Sequence, residues 1–267
     1  MKASESANDI YDVIPTTLTE LNRILGIGGI ASKNIFEISG IWSVGKSTLV
    51  LQIIGSAQKE GRRCFFLDSE FRFSPAYATT LGVNCEELDY VQEQYAEEAL
   101  DALEEWASKN KNGLMVLDSI GQLLPREEAE KGSGSKSIGL QARLIGSFTR
   151  RIVPIISINN HALILVNHSF TDLTSGRLKT SGGAKLEYAK SVWLTLKRSY
   201  GKPAKRSSDG KKTVLFLEAE VRKNKLSPTE GMKCELEMIP GEGFISKPPT
   251  LFETKKKGRP KKDETPL

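Results

Sequence analysis

The feature that most constrains this chain is the segment Gly40-Ile-Trp-Ser-Val-Gly-Lys-Ser47, which fits the spacing G-x-x-x-x-G-K-[ST]. In such a segment the backbone N–H groups of a glycine-rich turn surround phosphate oxygens, the lysine reaches the terminal phosphates and the hydroxyl binds Mg²⁺. Apolar residues 34–38 precede it like a buried strand, and residues 48–57 follow like a helix packed on a sheet. This order directs a helix N-terminus at an anion. The predicted nucleotide-binding residues are Gly40, Ile41, Trp42, Ser43, Val44, Gly45, Lys46, Ser47 and Thr48.

Short apolar runs alternate with amphipathic helical patterns through much of the chain. Such alternation is typical of an α/β fold with a mostly parallel central sheet flanked by helices on both faces. The polar stretches 125–137 and 169–183 interrupt the pattern and are predicted to be structureless. Strands are predicted at residues 34–38, 63–67, 114–117, 162–166, 191–197, 213–222 and 232–239, and helices at residues 48–57, 96–108 and 138–158.

The composition of the 267 residues limits the classes of protein to which the chain can belong. The net charge is +5, and residues 255–267 hold six of the basic and two of the acidic side chains, so the rest is nearly neutral. Three cysteines without a C-x-x-C pair and only two histidines argue against a disulfide framework and a zinc site. Because no apolar run reaches the ~18 residues that span a bilayer, we expect a soluble cytoplasmic protein without a membrane partner.

Acidic residues follow two of the predicted strands. Asp118 ends the run at 114–117, and Asp68-Ser-Glu70 ends the run at 63–67. The carboxyl ends of parallel strands meet at one edge of a sheet, where ligands collect. Nucleotide hydrolysis needs an acid that positions the metal and a group that orients water. We interpret Asp118 and Ser47 as the metal site and Glu70 as a water-orienting candidate, with Asp68 as its competitor. The alternative for each acid is an ordinary solvated residue at a loop start.

Beyond these spacings, the segment from Cys64 to Val83 resembles the corresponding segment of the RecA family. The chain from Thr16 to Phe244 can be followed in that family's order. The similarity is greatest to phage recombinases of the UvsX type, through Asp68-Ser-Glu-Phe, Pro75-Ala-Tyr and Val166-Asn-His168. The resemblance implies a RecA-like P-loop ATPase core at residues 16–246, with ATP and Mg²⁺ as its ligands.

The resemblance also assigns roles to individual residues. Glu70 would activate the attacking water, and Tyr77 would stack on adenine. His168 stands where bacterial members carry a glutamine that senses the γ-phosphate. Lys223 and Lys225 resemble lysines that cross a subunit interface to the neighbour's γ-phosphate, as an arginine finger does. The implied catalytic residues are Glu70, Lys46, His168, Lys223 and Lys225.

Two sequence features depart from the family pattern. Ser74 replaces an aspartate that contacts adenine in many members, and Glu187 stands where bacterial members carry a lysine. The flanking segments differ as well. Residues 1–15 form a short extension in which the run 10–14 has no obvious partner strand in its own domain, so we expect it to dock on a neighbouring subunit. Residues 247–267 are predicted to be a disordered basic tail.

In this family, loops that follow the metal-site strand and the sensor strand grip single-stranded DNA. The polar stretches 125–137 and 169–183 take those positions, although two ordinary surface loops are the alternative. Phosphate contacts made there would be sequence-tolerant and salt-dependent. In the tail, Arg259 lies in a Gly-Arg-Pro core that resembles a minor-groove AT-hook, with a nonspecific polyanion tether as the alternative. The candidate DNA-binding residues are Arg126, Lys131, Lys136, Phe170, Arg177, Lys179, Gly182, Gly183 and Arg259.

The resemblance predicts a DNA-dependent ATPase that forms helical filaments on single-stranded DNA and promotes homologous pairing and strand exchange. Its partners would be single-stranded and double-stranded DNA, further copies of itself, and proteins of the single-strand-binding or mediator class. Two alternatives stay open at this point. The chain could be an accessory paralogue that binds DNA or a recombinase without exchanging strands, or a hexameric helicase or motor built on the same core.

Overall fold

In a computed structural model of the chain, the residues described are 11–131, 139–173, 176–199, 202, 204–206 and 212–245. Their strands are β1 Val13–Ile14, β2 Ile30–Ala31, β3 Ile35–Gly40, β4 Cys64–Asp68, β5 Leu88–Gln92, β6 Leu114–Asp118, β7 Ala162–Thr171, β8 Leu178–Thr180, β9 Val192–Arg198, β10 Lys205–Arg206, β11 Thr213–Asn224, β12 Lys233–Ile239 and β13 Gly243–Ile245. Their α-helices are α1 Thr19–Leu25, α2 Lys46–Lys59, α3 Pro75–Thr80, α4 Ala96–Lys109, α5 Arg126–Lys131, α6 Leu140–Ile158 and α7 Gly183–Ala189.

An 11-stranded sheet organises these elements, with the strand order β13-β12-β11-β9-β3-β7-β6-β4-β5 along its main path. The six strands from β9 to β5 are mutually parallel. The strands β11, β12 and β13 extend the sheet antiparallel, while β10 and β8 pair beside the main path. The predicted α/β class with a mostly parallel central sheet is confirmed.

Helices cover both faces of the parallel strands because successive side chains of a strand point to opposite sides. Phe66 of β4 belongs to one buried apolar cluster together with residues of α1 and α2. Its neighbour Phe65 belongs to a second cluster, with residues of α4 and α6. Since both sides of these strands are apolar, their sequences are continuous hydrophobic runs, as is usual for buried parallel strands.

The N-terminal segment differs from the prediction. The strand β1 pairs antiparallel with β2, with Val13 opposite Ala31 and Ile14 opposite Ile30. Ile14 is fully buried in the first apolar cluster. The expectation that this run lacks a partner in its own domain is therefore wrong, because the two-residue strand β2 was too short to be recognised. Ile10 and the preceding residues lie outside the described part of the chain.

Both stretches predicted to be structureless contain regular elements. The first begins with α5, and in the second β7 continues to Thr171 and forms a hairpin with β8. Polar side chains on these elements obscured them, because neither buries an apolar face in the core. The strand β5 was missed for the same reason: it lies at the end of the sheet path and only Leu88 of its five residues is buried.

In the described part of the chain, every helix is too short or too polar to cross a lipid bilayer.

Candidate active site

The parallel sheet brings the predicted site residues to one edge. Gly40 at the end of β3 lies opposite His168 on β7, and Asp68 at the end of β4 lies opposite Asp118 at the end of β6. The carboxyl ends of four neighbouring strands thus meet at this edge, where open α/β sheets bind their ligands. A cavity of about 450 Å³ opens there and is lined by the phosphate loop, Asp68, Glu70, Tyr77, Asp118 and His168, among others.

The phosphate loop has the backbone geometry that its glycines predict. Gly45, the residue before α2, has a φ of 81°, and a Cβ at this position would lie 2.8 Å from the Met238 sulfur. The loop therefore tolerates only glycine at this turn. The Lys46 ammonium donates to the carbonyl oxygens of Gly40 at 3.2 Å and of Ile41 at 2.9 Å. Burial lowers the pKa of Lys46, and the charges of Asp118 and Glu70 oppose this effect.

Asp118 and Ser47 form the oxygen-rich floor of the cavity. Ser47 and Asp118 both line the cavity, and Asp118 is almost completely buried. Burial, followed by the nearby charges of Glu70 and Asp68, raises the pKa of Asp118 to about 6, against the opposing effects of Ser47 and Lys46. A carboxylate held among other carboxylates in this way gains stability from a cation at the site.

Asp68 and Glu70, the two competing acids, make different contacts. The Asp68 carboxylate accepts the backbone N–H groups of Glu70 at 3.0 Å, Arg72 at 2.8 Å and Phe73 at 2.9 Å. These contacts surround Phe71, whose φ of 58° is unfavourable for a residue with a side chain. Both acids line the cavity, but the Asp68 carboxylate is occupied by the loop backbone.

Glu70 and His168 come together at the cavity wall. The Nε2 atom of His168 lies 3.3 Å from Oε1 of Glu70, although the two residues are 98 positions apart in sequence. Next to this pair, Ser69 Oγ links the ends of β4 and β6, since it donates to the carbonyl of Ser119 at 2.7 Å and accepts its N–H at 2.8 Å. The pair joins the predicted water-activating group to the predicted sensor.

Tyr77 also lines the cavity and lies in α3, which begins after Ser74. The Ser74 hydroxyl caps this helix by accepting the Tyr77 N–H at 3.3 Å. The phenol of Tyr77 lies 2.9 Å from the Thr48 hydroxyl, which anchors the ring beside the phosphate loop. Trp42 projects from the loop and is 78% exposed at the cavity mouth. Ser43 also lines the cavity, whereas Val44 is buried in the core and Ile41 is exposed.

Lys223 and Lys225 do not belong to this cavity in their own chain. The Lys223 ammonium donates to the carbonyl of Glu187, and that of Lys225 donates to the carbonyl of Tyr188 at 2.5 Å. Burial and the adjacent Lys225 charge lower the pKa of Lys223, while Glu187 counteracts them. The two lysines lie side by side on the segment that ends β11, next to the exposed ring of Tyr188.

The candidate DNA-binding residues occupy several places. Arg126 at the start of α5 forms an ion pair with Glu98 and lies over the Tyr95 ring, 4.5 Å from its centroid. Phe170 and Lys179 face each other in the β7–β8 hairpin, and Lys179 forms an ion pair with Asp172 at 2.7 Å. Arg177 precedes β8. Lys136, Arg259 and the side chain of Lys131 lie outside the described residues.

Gly182 and Gly183 serve the turn into α7, with φ values of 109° and 77°. A Cβ at Gly183 would lie 2.9 Å from Ala142, so the N-terminal turn of α6 packs closely on this turn. Sequence reasoning missed Arg143, the exposed neighbour of Ala142. It also missed Asn167 and Lys190, which are completely buried. The Asn-His pair was noted only for its histidine, and nothing local marks Lys190 as a core residue.

Comparison with known proteins agrees with this geometry. Residues 1–245 match the family described as RecA N-terminal domain. The chain is 37% identical over 247 residues to Protein RecA of Thermus thermophilus, a match that covers 91% of this chain and 72% of that protein. It is 36% identical over 248 residues to Protein RecA of Sulfurovum sp., covering 91% and 70%, and 35% identical over 244 residues to Protein RecA of Deinococcus radiodurans, covering 90% and 66%. The closer similarity to UvsX-type phage recombinases stays a prediction.

Proposed function

Since the chain belongs to the RecA family, we propose how its residues carry out the work of a RecA-type recombinase. The protein is a DNA-dependent ATPase of homologous recombination, with strand exchange as its outcome. In our proposal it assembles as a helical filament on single-stranded DNA and pairs that strand with duplex DNA. The contact that carries the proposal is between Glu70 and His168 at 3.3 Å, in a cavity that also contains Lys46.

We place the triphosphate of ATP over the turn before α2. The backbone N–H groups of residues 43–48 and the helix N-terminus would bind its oxygens, and Lys46 would exchange the carbonyls of Gly40 and Ile41 for phosphate. The adenine would stack on Tyr77, whose ring is held by Thr48. Lys46 thus exchanges contacts to neutral carbonyls for contacts to an anion.

Mg²⁺ fits the oxygen donors of Ser47 and Asp118. Hydroxyl and carboxylate oxygens are the ligands this ion prefers, and it keeps several ligands from substrate phosphates and water. Among the described residues, no group of three or more histidine, cysteine or acidic side chains is arranged to hold a metal ion alone. This arrangement suits an ion that arrives with ATP. When bound, the ion neutralises charge that develops on the β- and γ-phosphate oxygens.

Glu70 would orient and deprotonate the attacking water. Its carboxylate has the freedom to do so, because Asp68 rather than Glu70 supports the loop backbone. His168 would contact the γ-phosphate and report its presence to the β7–β8 hairpin, to which it is covalently joined through β7. Lys223 and Lys225 of a neighbouring subunit would complete the charge around the phosphate, so that turnover would depend on assembly.

For DNA we propose the surface formed by α5, the β7–β8 hairpin and the turn at Gly182–Gly183. Arg126, Arg177 and Lys179 would contact phosphates, with Phe170 against the bases. We add Arg143, an exposed cation in the first turn of α6, to this set. The contributions of Lys131, Lys136 and of Arg259 in the tail are proposed from the sequence alone.

The test combines DNA stimulation with removal of the proposed base. We expect ATP turnover by the wild-type protein to rise when single-stranded DNA is added. Glu70→Gln should lower stimulated turnover by at least about 100-fold while it retains ATP and DNA binding. Glu60→Gln, an exposed change at the end of α2, is the matched control and should keep full turnover. Turnover by Glu70→Gln within tenfold of wild type would remove Glu70 from this role.

Assembly is tested separately by electron microscopy of the protein with ATP and single-stranded DNA. Continuous helical filaments are the expected result. Closed rings or isolated particles under conditions of active turnover would contradict the filament proposal while leaving the ATPase assignment in place.

A further inference from the structure

A buried polar network surrounds the backbone of His168. Its centre is Asn167, whose side chain is completely buried. The Asn167 Oδ1 atom accepts the N–H of His168 at 2.9 Å. Its Nδ2 atom donates to Glu37 Oε1 at 3.0 Å and to the carbonyl of Ser181 at 2.8 Å. The Asn167 amide therefore links three parts of the chain: Glu37 on β3, the backbone of His168, and Ser181 just after β8.

Glu37 and Lys190 form an ion pair at the base of this network. The Lys190 ammonium lies 2.6 Å from Glu37 Oε2, and both side chains are 0% exposed. The same ammonium contacts Glu187 Oε2 at 2.6 Å and lies 4.0 Å from the centroid of the Trp193 ring. A buried pair of this kind generally adds little stability over a well-packed apolar pair. A role in setting the geometry of its neighbours accounts better for its presence.

The charge of Glu37 determines how the Asn167 amide is oriented. An amide NH₂ group donates to a carboxylate, whereas an amide oxygen placed there would be repelled. With Nδ2 directed at Glu37, the Oδ1 atom must face the other way, where it accepts the N–H of His168. Lys190 holds the Glu37 carboxylate in this position, because its ammonium occupies the second carboxylate oxygen.

We propose that Glu37, Lys190 and Asn167 are positioning residues that hold His168 against Glu70 and tie it to the base of the β7–β8 hairpin. This inference rests on the proposed function of His168 and Glu70. None of the three touches the nucleotide cavity, so they act through the His168 backbone and through Ser181. Their disturbance should lower kcat for DNA-stimulated ATP hydrolysis and leave KM for ATP nearly unchanged, since the phosphate loop is intact.

The experiment exchanges the roles of donor and acceptor. In Asn167→Asp the new carboxylate faces Glu37 and cannot donate to it, so we expect kcat to fall about 30-fold, with KM changed less than about threefold. In the double variant Glu37→Gln with Asn167→Asp, the new amide at position 37 can donate to the carboxylate at position 167, which still accepts the His168 N–H. We expect this double variant to regain only part of kcat, at least about fivefold over Asn167→Asp, because the Ser181 carbonyl still lacks its donor.

The matched control is Asn22→Asp. The Asn22 amide also donates to a carbonyl, that of Thr16 at 2.9 Å, and its oxygen accepts the Thr16 N–H at 3.0 Å, but it lies at α1 outside the cavity. This variant should lose stability in denaturant unfolding and keep kcat. A similar loss of kcat in Asn22→Asp would mean that kcat follows general stability, which would overturn the inference.

Glu37→Gln alone provides a second test if Asn167→Asp does not fold. It leaves one acceptor oxygen for two donors, Asn167 Nδ2 and the Lys190 ammonium, so the Asn167 amide is no longer fixed, and we expect kcat to fall about fivefold at constant KM. A folded Glu37→Gln variant with kcat within twofold of wild type would overturn the inference, as would a double variant no better than Asn167→Asp. Absence of DNA-stimulated turnover in the wild-type protein would instead contradict the proposed function.

Discussion

Glu70 and His168 meet in one cavity, yet the structure supports them in opposite ways. Glu70 lies on a loop that is held by Asp68 through backbone N–H groups two to five residues away. His168 is held through Asn167, whose partners are 130 and 14 residues away in sequence, and which is linked by Glu37 to Lys190. The first support is local and the second is assembled only when the whole sheet has formed.

The two supports differ in what the fold loses when one partner is removed. A carboxylate that accepts local N–H groups satisfies donors that the same short loop would otherwise leave unpaired. A buried ion pair must bring both charges out of water, and it fails badly if one partner is lost. We therefore expect damage on the His168 side to cost the whole fold more stability than damage on the Glu70 side.

Lys190→Met should have the largest effect. It leaves the Glu37 carboxylate buried without its cation, for which a loss of about 3–5 kcal/mol in the free energy of unfolding is expected. Denaturant unfolding measures this loss. The exposed change Lys59→Met at the end of α2 is the control and should stay within about 0.5 kcal/mol of wild type. A loss below about 1 kcal/mol in Lys190→Met would show that the pair is not the vulnerable point of the network.

Asp68→Asn should have a smaller and more local effect. The new NH₂ group must face backbone donors on one side of the carboxylate, because both Asp68 oxygens accept N–H groups. We expect a loss of about 2 kcal/mol in unfolding free energy and a fall in kcat of at least about tenfold. Asp101→Asn on the exposed side of α4 is the matched control. A larger loss of stability in Asp68→Asn than in Lys190→Met would contradict the expectation that the His168 side is the more vulnerable one.

The same contrast explains what the sequence could predict. Short spacings in the sequence are enough to predict some site residues, because strand, turn and acid are adjacent in the chain. These are the phosphate loop, Asp118 and the Asp68-Ser-Glu70 turn. Spacing alone did not separate Asp68 from Glu70. The distinction follows from which carboxylate the loop backbone folds around.

Lys190 illustrates what could not be predicted. In the sequence it is one of several cations near Glu187, and a lysine is normally expected at the surface. Its burial results from Glu37 and Trp193, which the sheet brings to it from β3 and β9. The partner of β1 escaped recognition for a related reason, since a pairing of two residues leaves no periodic pattern to detect.

Tyr90→Phe sharpens the comparison by removing a single atom from the Glu70 side. The Tyr90 hydroxyl donates to Asp68 Oδ2 at 3.3 Å, while its ring stacks on Phe73 with the centroids 4.7 Å apart. Phenylalanine preserves the ring, so we expect kcat to fall about threefold with about 1 kcal/mol of stability lost.

Burial, and then the Asp68 charge, raises the pKa of Tyr90 to about 12, so the phenol remains a donor at working pH. The ratio of mutant to wild-type kcat should therefore be constant from about pH 6 to 9, and a ratio that changes over this range would contradict the assigned hydrogen bond.

Asp12→Asn tests whether sequence distance or burial sets the size of these effects. Asp12 is bonded by Arg62 and by Asn160, 50 and 148 residues away, but its carboxylate is partly exposed to solvent. We expect a loss of only about 0.5 kcal/mol at neutral pH, because water screens such contacts.

The pH dependence of this variant identifies the interaction. Hydrogen bonds from Arg62, with further contributions from Asn160 and Ser32, lower the pKa of Asp12 to about 2 against the opposing effect of burial. A carboxyl whose folded pKa lies below its unfolded value of about 3.9 stabilises the fold at higher pH. The stability difference between wild type and Asp12→Asn should therefore be constant above about pH 5 and decline between about pH 4 and 2. If Asp12→Asn at neutral pH lost as much unfolding free energy as Lys190→Met, contacts between residues distant in sequence, rather than burial, would explain why the His168 side is more vulnerable.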